Sequence, residues 1–131
     1  FNLINQLIKN KPADFMVISC DDPITLHMIA AGGVGVISVV ANAYPDEFSE
    51  MVRLSLQGKF TEAAPLHYKY IDIIASMFAE GSPSGVKACL SEMGLCKNTF
   101  RMPVCKVSDR LHARIRELMK TVREPAMMSS H

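Results

Sequence analysis

The chain has 131 residues, of which 49% are hydrophobic and 21% are charged, with seven glycines, seven prolines and no tryptophan. This composition excludes a disordered chain, a collagen-like chain and a small disulfide scaffold. The formal net charge is +1, so the composition does not predict binding to nucleic acid or to an anionic membrane. The apolar runs are also shorter than the roughly 20 residues that span a bilayer.

The first third of the chain alternates helical and strand patterns. Residues 1–11 carry apolar side chains at helical spacing, and Pro12 stops that helix. Two continuous apolar runs follow, over residues 15–20 and 35–40. Runs without polar alternation are typical of parallel strands buried on both faces. We therefore predict two strands at these positions.

A short helix is predicted between the two strands, over residues 23–31. Asp22 is expected to cap it, and Pro23 suits its first position. Gly32 ends it, and the glycines from there to Gly35 read as a turn, because a phosphate-binding glycine loop follows a strand rather than preceding one. Short links between helices and strands predict an α/β protein with parallel strands.

The rest of the chain is predicted to be helical. The expected helices cover residues 45–57, 60–79, 83–93 and 109–122. Ser82 and Ser108 are expected to cap the last two, and residues 95–107 form a loop. Residues 125–131 are predicted to be a tail, disordered or vector-derived.

Two parallel strands with apolar faces form an incomplete sheet, because their outer edges and faces need neighbours. The chain begins with Phe1 rather than Met, and no signal peptide is recognisable. We therefore expect it to be a piece of a longer protein, whose other parts complete the sheet.

Each motif that could form a functional site gives only weak evidence when it is considered alone. Asp21 and Asp22 follow the first predicted strand, at the end where active sites of parallel α/β folds lie. Lys87 is expected to be a structural or solvated cation. The cysteines are expected to be free and mostly buried, in a reducing compartment. Their spacing, and that of the histidines, does not predict a metal site.

The combined motifs resemble the dihydrodipicolinate synthase family, within its superfamily with N-acetylneuraminate lyase. The resemblance covers residues 1 to about 120. It is carried by Ile18-Ser-Cys-Asp-Asp22, Gly35-Val-Ile-Ser-Val-Val-Ala-Asn42, Leu56-Gln-Gly-Lys-Phe60, Glu80-Gly-Ser-Pro-Ser-Gly-Val-Lys87, Met93-Gly94 and Arg101-Met-Pro103.

The resemblance implies the carboxyl-terminal part of a (β/α)₈ TIM barrel, with its last two parallel strands, followed by a helical carboxyl-terminal extension. Residues 1–58 would hold the last βα units and residues 59–124 the extension. A whole barrel takes about 250 residues, so the missing amino-terminal part of the barrel is an expected partner.

The resemblance also implies an activity. The family is a lyase, 4-hydroxy-tetrahydrodipicolinate synthase, that condenses pyruvate with L-aspartate 4-semialdehyde in diaminopimelate and lysine biosynthesis. A lysine on a strand forms a Schiff base with pyruvate. That lysine aligns a few residues upstream of Phe1, so the chain is expected to hold no catalytic residue and to be inactive alone. The family further implies a cytoplasmic homotetramer with no cofactor or metal.

The resemblance assigns substrate-binding positions to this chain. Ile37 is expected to pack against pyruvate, and Cys20 stands where the family has a pocket-lining glycine. Asp21 and Asp22 match the family's acidic pair and are candidate pocket-lining residues. Ser82, another candidate, stands where the family usually has asparagine. Cys20 and Ser82 are therefore departures from the family pattern that put activity or substrate choice in question.

Two alternatives remain open from the sequence. The first is another pyruvate-dependent aldolase or lyase of the same superfamily, acting on a different 2-oxo acid or a sugar acid. The second is a non-catalytic helical interaction module over residues 45–122, which would fold as an autonomous bundle.

Overall fold

The structure, a computed structural model, describes residues 1–123. The α-helices of this range are α1 (Asn2–Asn10), α2 (Thr25–Ala30), α3 (Pro45–Leu56), α4 (Phe60–Phe78), α5 (Ser84–Glu92) and α6 (Asp109–Arg123). Short 3₁₀ turns cover Asp22–Ile24 and Val40–Asn42. The prediction for residues 125–131 lies outside the described residues. The chain forms two compact units, Phe1–Ile71 and Asp72 onward, and the division falls within α4.

The helices lie where the sequence predicts them, within a few residues at their ends. Two glycines explain how α3 and α5 stop. Gly58 and Gly94 have φ of 74° and 75°, a conformation that favours glycine because it has no Cβ. This turn lets the amide of Lys59 bond the carbonyl of Leu54 at 2.9 Å, and the amide of Leu95 bond that of Leu90 at 3.0 Å.

The prediction of two regular strands is wrong for the described residues, where β structure is limited to one isolated parallel bridge between Ser19 and Val36. We call residues 15–20 the first segment and residues 35–40 the second segment. Backbone bonds of 2.8–2.9 Å join them, from Ser19 to the carbonyl of Gly35 and from Ile37 to that of Ser19. Each segment has one neighbour, whereas a strand inside a parallel sheet is bonded along both sides. The parallel direction itself is as predicted.

Burial of both faces is also not observed. Val17 and Ser19 of the first segment are buried, whereas Met16 is 69% exposed and Ile18 is 43% exposed. Side chains alternate across an extended chain, so one face packs on this chain and the other faces outward. Because the exposed face is also apolar, the sequence of this run predicts a strand buried on both faces.

The expected cap of α5 is wrong as well. The residue before the helix is Pro83 rather than Ser82, and no side chain caps this end. Ser82 itself is exposed. By contrast, the Ser108 hydroxyl accepts a hydrogen bond from the amide of Leu111 at 3.2 Å, as a capping residue should.

The first unit is organised around α2, α3 and the start of α4. The helices α2 and α3 pack on each other, and Phe48 and Met51 of α3 are fully buried. A polar link joins α3 to α4, because Lys69 donates to the Glu47 carboxylate at 2.8 Å. Tyr70 donates its hydroxyl to the other oxygen of the same carboxylate.

The second unit is built on α5 and α6, which pack on each other. Glu92 of α5 accepts from the guanidinium of Arg116 at 2.9 and 3.0 Å and contacts the His112 imidazole at 2.7 Å. Hydrogen bonds from Arg116 and then His112 lower the pKa of Glu92 to about 2. Within the described residues, no helix is both long enough and apolar enough to cross a bilayer.

Candidate functional site

The candidate site lies at the carboxyl ends of the two paired segments. The amide of Ile37 donates to the carbonyl of Ser19 at 2.8 Å, which places Ile37 beside Cys20 in the chain pairing. Ile37 is 69% exposed and Cys20 is exposed. The family resemblance predicts a pocket position for each of these two residues, and the structure brings them to the same end of the pair. Their accessibility leaves both available to a ligand.

Asp22 has a different environment from the one expected for a helix cap. Its side chain is 1% exposed, and its Oδ2 accepts from the amides of Val39 and Val40 at 3.0 and 2.8 Å. The predicted capping role toward the following helix is therefore wrong, because the carboxylate points to the second segment. Sequence separation hides this contact, since the partners are 17 and 18 residues away.

Asp21 is exposed, and its backbone is what the fold holds. The hydroxyl of Thr25 donates to the Asp21 carbonyl at 2.9 Å, and the Asp21 amide donates to the Ser19 hydroxyl at 3.2 Å. Ser19 and Thr25 are fully buried and contact each other at 3.1 Å. This pair of hydroxyls was not identified from the sequence. The available signal was that Ser19 and Thr25 lie on either side of the acidic pair, within apolar surroundings.

The turn after Ile37 is held at both of its ends. The Ser38 hydroxyl accepts from the amide of Ala41, within the 3₁₀ turn, at 3.0 Å. The carbonyl of Val40 accepts from the amide of Tyr44 at 2.9 Å. Because Val40 is fully buried, the backbone that follows Ile37 is fixed by hydrogen bonds and packing together.

Tyr44 leads from this turn to α4. Its ring lies 5.1 Å from that of Tyr70, measured between centroids. Burial, followed by the hydrogen bond to Glu47, raises the pKa of Tyr70 far above its usual range. The hydrogen bonds from Lys69 and then Tyr70 lower the pKa of Glu47. The neutral phenol of Tyr70 is thus hydrogen-bonded to a carboxylate, and Tyr70 is only 3% exposed.

Ser82 and Lys87 belong to the second unit. Ser82 is exposed. The Lys87 ammonium donates to the carbonyl of Thr99 and lies 4.8 Å from the centroid of the Phe100 ring. These contacts agree with the structural role expected for Lys87, since they hold the α5 helix to the loop at residues 95–107.

The cysteines differ from the expectation that they are mostly buried. Cys20, Cys96 and Cys105 are exposed, and Cys89 is buried. Their positions in the segment end and the loop explain this, because both regions lie at the surface. Among residues 1–123, no group of three or more His, Cys, Asp or Glu side chains is placed to hold a metal ion.

Apolar grooves flank the paired segments. One, of about 380 Å³, lies between α1 and the first segment and is lined by Leu3, Leu7, Phe15 and Val17 among others. Another, of about 430 Å³, lies between the second segment and α3 and is lined by Val34, Val36, Phe48 and Val52 among others. The outer sides of both segments therefore offer apolar surface.

Comparison with known proteins gives a consistent family. Residues 1–122 match the Dihydrodipicolinate synthetase family. The chain is 54% identical over 110 residues to the 4-hydroxy-tetrahydrodipicolinate synthase of Flavobacterium psychrophilum, which covers 84% of this chain and 38% of that protein. The chain thus spans well under half the length of the curated relatives it matches.

Solved structures give the same result for the fold. Dihydrodipicolinate synthase from Aquifex aeolicus superposes with a TM-score of 0.87 at 36% identity, over 91% of this chain and 41% of that one. Chloride-inhibited dihydrodipicolinate synthase from Acinetobacter baumannii, complexed with pyruvate, superposes with a TM-score of 0.87 at 28% identity, over the same shares. The described residues thus have the backbone arrangement found in part of these proteins.

Proposed function

Because this chain belongs to the dihydrodipicolinate synthetase family, we propose that it is the carboxyl-terminal portion of a lyase that condenses pyruvate with L-aspartate 4-semialdehyde. In this function it supplies one wall of the pyruvate pocket and the helices that support it. The observation that carries the proposal is the parallel pairing of the two segments, with Cys20 and Ile37 exposed at their carboxyl ends.

The location of that wall agrees with the chemistry. In barrels built of parallel strands, the reacting groups gather at the carboxyl ends of the strands. An aliphatic side chain such as Ile37 suits the methyl group of a three-carbon oxo acid. Cys20 lies beside it, and Asp21 and Ser82 are further candidates for the pocket rim. These assignments are part of the proposal.

The Schiff-base lysine belongs to the upstream portion of the barrel. A nucleophilic lysine must be neutral, which requires a desolvated position or a neighbouring cation. Neither segment contains a lysine. The Lys87 ammonium is engaged by the carbonyl of Thr99 and the ring of Phe100. The isolated chain is therefore inactive, and the nucleophile reaches the pocket from a neighbouring strand.

The upstream barrel portion is the partner that completes the molecule. The apolar grooves beside the first and second segments support this partner, because they offer apolar surface that further strands and helices could cover. The assembled protein is expected to form a cytoplasmic homotetramer, as the family does, with aspartate semialdehyde as its second substrate.

A second function within the same superfamily has one observation in its favour. Cys20 replaces a family glycine and its side chain is exposed at the pocket edge, so it reduces the space for a substrate there. Another pyruvate-dependent lyase of the superfamily would form the same Schiff base with pyruvate but would use a different aldehyde as its second substrate.

Trapping of the imine tests the proposal. The complete protein that carries this chain, and this chain alone, are each incubated with pyruvate and borohydride and analysed by intact mass and peptide mapping. We expect a reduced pyruvate adduct on a lysine upstream of residue 1 in the complete protein, and no adduct on the chain alone. Substituting that upstream lysine with arginine is the matched control and should abolish the adduct.

The other outcomes are equally informative. An adduct on Lys87, removed by Lys87→Arg, would contradict the assignment of the nucleophile. An adduct upstream with no turnover of aspartate semialdehyde would favour the lyase with a different acceptor. No adduct in the complete protein would overturn the proposal and favour a non-catalytic role.

A further inference from the structure

Asp22 is the buried acidic residue nearest to the candidate pocket. Burial of a carboxylate is costly unless hydrogen bonds replace its water shell. Here the amides of Val39 and Val40 both donate to Oδ2, at 3.0 and 2.8 Å, and such charge-assisted bonds are stronger than neutral ones. The carboxylate therefore forms a firm link between the ends of the two segments.

This link controls the turn that follows Ile37. Ile37 is fixed on one side by the bond from its amide to the Ser19 carbonyl. Two residues later, the amide of Val39 donates to the Asp22 carboxylate, and the carbonyl of Val40 accepts from the amide of Tyr44. The backbone is therefore held on both sides of Ile37, and on the carboxyl-terminal side it is held by the Asp22 carboxylate.

Asp22 is not placed to contact a substrate itself. Its Oδ2 is occupied by the two amides, and its Oδ1 is buried with no hydrogen-bond partner among the described residues. Asp21, by contrast, is exposed at the same segment end. The two adjacent carboxylates thus have separate positions, one toward solvent and one inside the protein.

We infer that Asp22 is a positioning residue of the pyruvate pocket, which acts by holding the Val39–Val40 backbone so that Ile37 is presented to the substrate. This inference rests on the proposed function, since it assumes that Ile37 contacts pyruvate. It separates the acidic pair by role, with Asp22 acting through the backbone and Asp21 remaining available at the rim.

Steady-state kinetics of the complete protein test the inference with two variants. Asp22→Ala removes the acceptor, and we expect the KM for pyruvate to rise by on the order of tenfold or more because small misplacements of contact groups have large effects. The kcat per borohydride-trapped site should change less. Asp22→Asn keeps an oxygen that accepts both amide bonds, so its KM should lie between those of Asp22→Ala and the unchanged protein.

Asp14→Ala is the matched control, because Asp14 is an exposed acidic residue of the same unit. Its KM and Tm should equal those of the unchanged protein. Hydrogen exchange at the amides of Val39 and Val40 provides a readout apart from activity. We expect faster exchange at both in Asp22→Ala and intermediate exchange in Asp22→Asn.

A merely structural role would give a different pattern. Asp22→Ala with a lowered Tm but an unchanged KM for pyruvate would overturn the inference. If Asp22→Ala does not fold, Asp22→Asn decides: a raised KM supports the inference, and an unchanged KM with a lowered Tm overturns it. Failure of the unchanged protein to trap pyruvate would instead count against the proposed function.

Discussion

Asp21 and Asp22 are neighbours in the chain with different surroundings. The sequence shows that both are acidic and that both follow an apolar run. These two features predict a functional site at the carboxyl end of that run. Which of the two is buried depends on the amides of Val39 and Val40, whose approach is a consequence of segment pairing. Local sequence rules favour a helix cap at Asp22, and the tertiary contact replaced it.

Cys20 provides a test of the pocket wall at the residue scale. In the complete protein, Cys20→Gly introduces the glycine that the family resemblance implies at this position and removes an exposed side chain next to Ile37. We expect the KM for pyruvate to fall by about threefold to tenfold, since differential binding of a small group is worth about 1 kcal/mol or a little more. Steady-state kinetics with pyruvate varied measure this.

Cys105→Gly is the control for that experiment, because Cys105 is exposed in the loop of the second unit. It should leave the KM unchanged. A Cys20→Gly variant with weaker pyruvate binding would contradict the proposal and indicate that the thiol itself contributes to the site.

His67 predicts a pH dependence of stability. It is 4% exposed, and its ring lies 5.3 Å from that of His27 and 5.1 Å from that of Tyr68. Burial, and then the nearby His27, lower the pKa of His67. Its Nδ1 is buried without a hydrogen-bond partner in the described part of the chain.

The sign follows from linkage. A lowered pKa means that the folded state favours the neutral ring, so stability is complete above the unfolded pKa of about 6.5 and declines as pH falls below it. In the complete protein, His67→Gln should lose this part of the decline, because glutamine does not titrate. Tm measured between pH 8 and pH 5 for both proteins tests this, and parallel curves would contradict it.

At the element scale, the crossing of α4 and α5 depends on a glycine. A Cβ built on Gly85 would lie 2.1 Å from the carbonyl oxygen of Met77. A backbone atom cannot move aside as a side-chain end can. The sequence predicts that Gly85 lies in a helix, where glycine is unfavourable. A glycine at such a position indicates close backbone packing, which the apolar spacing of the helix does not reveal.

Gly85→Ala is therefore expected to destabilise the complete protein by about 3 kcal/mol or more, as overpacking in a tight contact does. This exceeds the gain of about 1 kcal/mol from better helix propensity. Chemical denaturation measures the change. Gly35→Ala is the control, because no atom of residues 1–123 lies within 4 Å of its added Cβ. Equal effects of the two substitutions would contradict the prediction.

The helices were predictable because their signals are local. Apolar spacing, prolines at the starts and glycines at the ends lie within each element, as at Pro45 and Gly58. The strands were less predictable, since regular strand structure depends on neighbours along both sides. The first segment has one neighbour, which leaves a single bridge at Ser19.

At the scale of the whole molecule, the exposed apolar surface predicts how the chain behaves alone. Leu3 is 73% exposed and Met16 69%, and under the proposed function they belong to surfaces that the upstream barrel portion would cover. We expect the isolated chain to bind a hydrophobic dye and to self-associate more than the complete protein, because contiguous apolar surface favours association.

Dye fluorescence per chain and sedimentation velocity test this expectation. The complete protein should give the lower dye signal and a defined assembly. Leu3→Gln in the isolated chain should reduce dye binding, whereas Tyr68→Gln, which changes an exposed ring on α4, should reduce it less. Equal dye signals from the isolated chain and the complete protein would contradict the proposed covering.

The sequence by itself determined the helices, the parallel relation of the two apolar segments and the family, since these depend on local patterns and on combined motifs. It also led to the prediction, which stays a prediction, that Cys20, Asp21 and Asp22 lie at a pocket. Only the tertiary structure decided that Asp22 binds the backbone of Val39 and Val40 while Asp21 stays exposed. The physical reason is that hydrogen bonds between residues 17 and 18 positions apart exist only once the two segments are paired, and no local pattern encodes them.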